Sequence, residues 1–174
     1  MPFDITLVRW AGVAALVGAL LRTLAAWPAL PLSDTGMQLL YLVIDFLLTL
    51  GLTGAFVEMT RLRTWLGTLG FLGAIGGFLL IRTGDQLGGE GGYARATSVL
   101  ALALAMVGLV LLIRERGVAR LAGVAWIASL ATGLAGSFGE VSWGFLAASL
   151  LFCLGFALAG LRLMRTEPEV PTWS

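Results

Sequence analysis

Residues 96–113 read ATSVLALALAMVGLVLLI, a run without a single charge that ends abruptly in Arg114-Glu115-Arg116. An apolar stretch of about 18–20 residues is what an α-helix needs to cross the hydrocarbon core of a bilayer. Working outward from it, five further apolar stretches appear, at 6–27, 38–57, 65–81, 119–138 and 142–163. The expected fold is all-α, a polytopic transmembrane bundle of six helices forming a single integral membrane domain over residues 1–174.

Composition agrees with this reading. Hydrophobic residues make up 59% of the chain and charged residues 12%, and the mean hydropathy is +0.96, well outside the range of soluble domains. A net charge of only +1 lacks the clustered cations that nucleic-acid binding requires, so no nucleic-acid partner is expected. Every basic residue is Arg and His is absent, which removes imidazole from both metal ligation and acid–base work. Cys153 lies inside an apolar run and reads as a small buried hydrophobe. No HExxH, CxxC, GxSxG, P-loop or dinucleotide fingerprint occurs, so neither an enzyme nor a cofactor or metal site is expected.

The amino terminus has one feature of a signal peptide, an apolar core from Trp10 to Leu21 followed by Ala25-Ala26. Asp4 ahead of it, Arg22 after the core and the Trp27-Pro28 pair favour a first membrane helix with an interfacial anchor. Pro28, Pro31, Ser33, Asp34 and Gly36 break the first connection, and Gly84, Gly88, Gly89, Gly91 and Gly92 break the third. With the amino terminus inside, eight Arg (9, 61, 63, 114, 116, 120, 162 and 165) fall on the inner side and only Arg82 and Arg95 in outer loops. That asymmetry obeys the positive-inside rule for an even number of spans.

A short internal repeat accompanies the layout. Arg9-Trp10-Ala11-Gly12-Val13-Ala14 resembles Arg120-Leu121-Ala122-Gly123-Val124-Ala125, and helix three opens with Arg63-Thr64-Trp65-Leu66-Gly67. Gly54, Gly108 and Gly160 precede the Arg-rich ends of helices two, four and six. The pattern suggests three helical hairpins. In helix three, Gly67, Gly70, Gly73 and Gly76 recur every third residue and Gly73 with Gly77 forms a GxxxG pair. This is a smooth face for helix packing, or for a ligand or lipid laid against it.

Asp45 is the position at which chemistry is most expected. A short carboxylate inside a membrane helix costs about 2.5–3.5 kcal/mol on insertion scales, so it should face the bundle interior and find a partner. An antiparallel hairpin of helices one and two brings Arg22 to a similar depth, which makes an Arg22–Asp45 ion pair the expected arrangement; alternatively Arg22 snorkels outward and Asp45 takes a hydroxyl or water. Gln38, Tyr41, Asp45, Thr49 and Thr53 form one polar stripe at helical spacing, suited either to interhelical hydrogen bonds or to lining a path. The outer connection 82–95, with Arg82, Asp85, Glu90 and Arg95 around a Gly-rich centre, reads as a flexible solvated loop that could serve as a lid.

Arg9 to Val13 and the stretch Leu39-Leu40-Tyr41-Leu42-Val43-Ile44-Asp45 resemble a set of small six-helix bacterial membrane proteins whose first helix opens with Arg-x-Ala-Gly and whose second carries an acidic residue. The resemblance implies the same fold and lends nothing to function; the expected location is a bacterial inner membrane. With both termini cytoplasmic, the expected role is non-enzymatic: a subunit or partner of a membrane complex, a homo-oligomer, or a binder of a small apolar ligand. The alternative is a small-solute or ion transporter or channel whose path follows helix two.

Overall fold

A computed structural model describes residues 5–26, 32–88, 91–139 and 142–165, excepting the side chains of 84–88, 139 and 142. These residues fold into six α-helices joined by short links: α1 (Ile5–Ala25), α2 (Asp34–Glu58), α3 (Trp65–Gly88), α4 (Gly92–Arg114), α5 (Val118–Gly139) and α6 (Ser142–Met164), with a 3-10 turn at Thr60–Leu62 between α2 and α3. No strand occurs among them. Each helix has 21–25 residues, or about 31–37 Å at 1.5 Å per residue, enough to cross a hydrocarbon core of about 30 Å. All six are apolar enough to do so. Large hydrophobic side chains lie on the outer surface, among them Trp10, Leu39, Phe46, Trp65, Leu79, Ile113, Phe138 and Trp143. A perimeter this apolar suits lipid rather than water, and the fold is that of a multi-pass membrane bundle.

Local chemistry sets the helix ends, and in three places moves them from the expected positions. α2 starts at Asp34 rather than 38 because the Ser33 hydroxyl accepts the Gly36 N–H at 3.2 Å, an N-cap. In the next link, the Thr64 hydroxyl accepts the Gly67 N–H at 3.1 Å at the start of α3. α3 then continues through Gly84 to Gly88 instead of stopping near 81, and α4 begins at Gly92 rather than 96. Glycine in a helix interior costs about 1 kcal/mol, and α3 is packed closely on its antiparallel neighbour α4. The chain turns at Gly91, whose φ of 89° suits a residue without a Cβ. The expected 82–95 loop is therefore mostly helix: Arg82 and Asp85 belong to α3 and Arg95 to the first turn of α4, while Glu90 lies outside the described residues.

The three hairpins α1–α2, α3–α4 and α5–α6 are each closely packed. They follow one another around a ring, and two of the three joints between them are closed by glycine. At the α6–α1 joint a Cβ on Gly12 would stand 2.7 Å from the Gly160 carbonyl oxygen, and one on Gly160 would stand 2.6 Å from that of Gly12. At the α4–α5 joint a Cβ on Gly108 would lie 2.7 Å from the Gly123 carbonyl oxygen. The repeated Arg-x-x-Gly segments thus place one glycine each at equivalent backbone-to-backbone crossings.

The third joint, between α2 and α3, departs from this pattern. Gly67 lies against its own preceding turn at Leu62, and Gly54 faces Ala11 of α1. With no glycine crossing, α2 and α3 touch little along their length. Near their connecting link they are joined by Phe56 and Phe71, stacked with ring centroids 4.3 Å apart. Farther along they diverge.

Of the helix-three glycines, Gly70, Gly73 and Gly77 receive α4: added Cβ atoms would meet the Ala103 carbonyl oxygen at 2.8 Å, the Ala103 Cβ at 3.1 Å and the Leu100 Cβ at 2.8 Å. The expected groove is filled by a helix, and Gly76, with open space around it, takes no part. The centre of the bundle is Phe156 on α6, fully buried, with ring centroids of Trp126 and Phe152 at 5.1 Å and Phe78 at 6.2 Å. Cys153 is buried beside this cluster.

Candidate functional site

The divergence of α2 from α3 leaves a cavity of about 1100 Å3 in the half of the bundle away from the arginine-rich links. Every helix contributes to it. Its deeper wall is apolar, from Leu48, Phe78, Leu100 and Phe152, and its upper part carries Arg22, Gln38, Tyr41, Asp45 and Arg82. The hydroxyls of Thr97 and Ser129, also at the wall, are already spent on the carbonyls of Tyr93, Ala94 and Ala148. Exposed Leu39 and Leu42 of α2 line the same space, so it opens toward the apolar perimeter.

The charged groups are ordered around Tyr41. Arg82 donates from Nε to Oδ2 of Asp45 at 2.7 Å, and its Nη2 forms an ion pair with the same oxygen at 2.5 Å. The Arg22 guanidinium stands 5.0 Å from the Tyr41 ring centroid and that of Arg82 5.7 Å, within the range of attraction between a cation and an aromatic face. The Tyr41 hydroxyl donates to the Ala25 carbonyl at 3.4 Å, tying α2 to the end of α1.

The partner of Asp45 is thus Arg82, not Arg22, and the expected α1–α2 ion pair is corrected to an α2–α3 one. Two registers explain the exchange. The α1–α2 hairpin sets Arg22 beside Tyr41, one turn short of Asp45, and α3 reaches Asp45 because it remains helical past residue 81. Arg22 stays near enough for its charge to act on Asp45, but among the described residues no carboxylate lies within ion-pairing distance of it.

The polar stripe of α2 divides at the same point. Gln38, Tyr41 and Asp45 line the cavity, whereas Thr49 and Thr53 do not. Thr53 is exposed, and its hydroxyl donates back to the Thr49 carbonyl at 2.8 Å, which satisfies it within its own helix. The aromatic and aliphatic floor went unread in the sequence because Phe78, Leu100 and Phe152 look like any other core residue; only the register of neighbouring helices brings them together.

At the opposite end, the arginine-rich links are bound to each other. Arg61 donates to the Arg114 carbonyl at 2.5 Å and lies 3.9 Å from Glu115, and Arg63 donates to the Val57 carbonyl at 2.8 Å. The Arg61 contacts hold the α2–α3 link against the α4–α5 link, and the Arg63 bond ties the link to the end of α2. Around them Glu58, Arg114, Arg116, Arg120 and Arg162 line a second open space of about 1100 Å3, polar where the first is mostly apolar.

No protein-family model, curated protein or solved structure matches the chain. Its function is read from the cavity alone.

Proposed function

We propose that this protein is a non-enzymatic binder of a small, largely apolar ligand, which enters between α2 and α3 and lodges in the cavity beneath the Arg82–Asp45 pair. The observation that carries the reading is the failure of one joint in three. Glycine crossings close α6–α1 and α4–α5, whereas the α2–α3 joint keeps an open volume with an apolar floor and a few polar groups at one end, the usual composition of a small-molecule site. We place it in a bacterial inner membrane with both termini cytoplasmic, on the strength of the arginine asymmetry. The division of the α2 stripe at Asp45 supports binding over conduction, since the lower threonines do not continue a polar route.

The test is photolabelling in lipid nanodiscs with a neutral alkyl diazirine alcohol, the labelled residues being located by mass spectrometry. Label is expected on the α4 and α6 walls, and Ala101→Trp, which fills the cavity from α4, should remove most of it. Uniform labelling of the lipid-facing surface in both proteins would sink the proposal.

A further inference from the structure

Deepening the reading of the cavity as a ligand site, on which it rests, we infer that the ligand is a single-chain amphiphile carrying one anionic group, a carboxylate or phosphate monoester, held by Arg22.

Charge is the first argument. The described residues lining the cavity include two guanidiniums, Arg22 and Arg82, and one carboxylate, Asp45. Arg82 engages that carboxylate with a hydrogen bond and an ion pair. Arg22 is half-buried, stands against the face of Tyr41 and, among the described residues, shares with Arg82 the influence of the one carboxylate that Arg82 already engages. A guanidinium withdrawn from water needs a counter-charge with hydrogen-bond acceptors, and an aromatic face supplies neither a full charge nor an acceptor for its N–H groups. Among the described residues the lining therefore carries one cation more than it has anions.

Arrangement is the second. Arg22 sits in the last turn of α1, toward the end of the bundle, while Leu48, Phe78, Leu100 and Phe152 lie deeper. An amphiphile whose head meets Arg22 and whose chain lies on this floor has the orientation it already has in a leaflet, head outward and tail inward. The open α2–α3 joint faces that leaflet through Leu39 and Leu42, both more than half exposed. Arginine suits the head because its planar fork matches carboxylate and phosphate oxygens in pairs.

The experiment is competition against the same photolabel in nanodiscs, with dodecanoate, dodecyl phosphate, dodecanol, dodecyltrimethylammonium and inorganic phosphate as competitors. Dodecanoate or dodecyl phosphate should displace the label at about tenfold lower concentration than dodecanol, the size of one charge-assisted contact, and the more potent of the two identifies the head group. Arg22→Gln should abolish that preference while dodecanol still competes, and Arg22→Lys, which keeps the charge, should retain part of it. Equal competition by dodecanol, an undiminished preference in Arg22→Gln, or a preference for the ammonium amphiphile would overturn the inference and leave the cavity reading standing. Competition by inorganic phosphate alone as strong as that by dodecyl phosphate would overturn it in favour of a soluble anion. Absence of cavity label before any competitor is added would instead remove the cavity reading itself.

Discussion

Arg82 and Asp45 meet across the one hairpin joint that glycine does not close, with Nε and Nη2 of Arg82 both close to a single oxygen, Oδ2. Phe56 and Phe71 stack across the same joint. Eleven residues separate Asp45 from Phe56 on α2, and eleven separate Phe71 from Arg82 on α3. Eleven residues are three turns, about 16 Å, so both clasps lie on one face of each helix. α2 and α3 are thus joined at two points, and the cavity spans the second, with Leu48 and Phe78 of its floor on the side of the first.

If the ion pair is a clasp, its loss is felt as a loss of coupling between α2 and α3. The side chains are 30% exposed for Arg82 and 16% for Asp45, between a surface pair worth under about 1 kcal/mol and a buried pair whose disruption costs about 3–5 kcal/mol. Asp45→Asn and Arg82→Gln should each destabilise the bundle by about 1–3 kcal/mol on that scale, and the double variant by less than the sum of the two. Thermal unfolding in detergent measures all four corners of the cycle. Strict additivity would show that the two side chains do not act as a pair.

The glycine joints predict opposite outcomes for one kind of substitution. Gly12→Ala and Gly108→Ala push a methyl group against a facing carbonyl, backbone that cannot step aside, and overpacking of this kind costs about 1–3 kcal/mol. Gly76→Ala enters open space and should be neutral or stabilising by about 0.5–1 kcal/mol through helix propensity. Unfolding curves of the three variants decide the matter, and a Gly76 variant as damaged as the other two would refute the assignment of the crossings.

A third substitution probes the core. Gly155 lies beneath the indole of Trp126, which is buried with its Nε1–H unpartnered among the described residues and packed edge-on to Phe156. Gly155→Ala should displace that ring and cost about 1–3 kcal/mol, with a change in tryptophan emission. Wild-type emission and stability would show that the ring has room to move.

Much of this was legible in the residues. The six spans follow from apolar run length alone, and the hairpin repeat follows from Arg9–Ala14 and Arg120–Ala125, whose glycines occupy equivalent joints. Asp45 stood out because an intramembrane carboxylate is expensive. Its partner was misread for a definite reason: Gly84, Gly88 and Gly89 look like a loop, and assigning Arg82 to that loop removed it from consideration. Had α3 been extended one turn, the two-clasp register would have pointed to Arg82, since Asp45 and Arg82 are as far from the α2–α3 link as a shared antiparallel register demands. The cavity was not legible, because it arises from what one joint lacks relative to the other two.

Orientation in the membrane is open to a direct test because the only cysteine, Cys153, is buried and leaves a quiet background for single-cysteine reporters. Tyr93 lies in the first turn of α4 and is 47% exposed, while Arg116 is exposed in the link between α4 and α5, so the two positions mark opposite ends of one helix. With eight arginines at the Arg116 end against few at the other, the positive-inside rule predicts a cytoplasmic Arg116 end. In intact bacterial cells expressing each variant, a membrane-impermeant maleimide should label Tyr93→Cys and should label Arg116→Cys only after permeabilisation. The reverse pattern would invert the bundle and put the mouth of the cavity in the inner leaflet. The anionic amphiphile would then be drawn from the cytoplasmic side, with Arg22 unchanged as its contact.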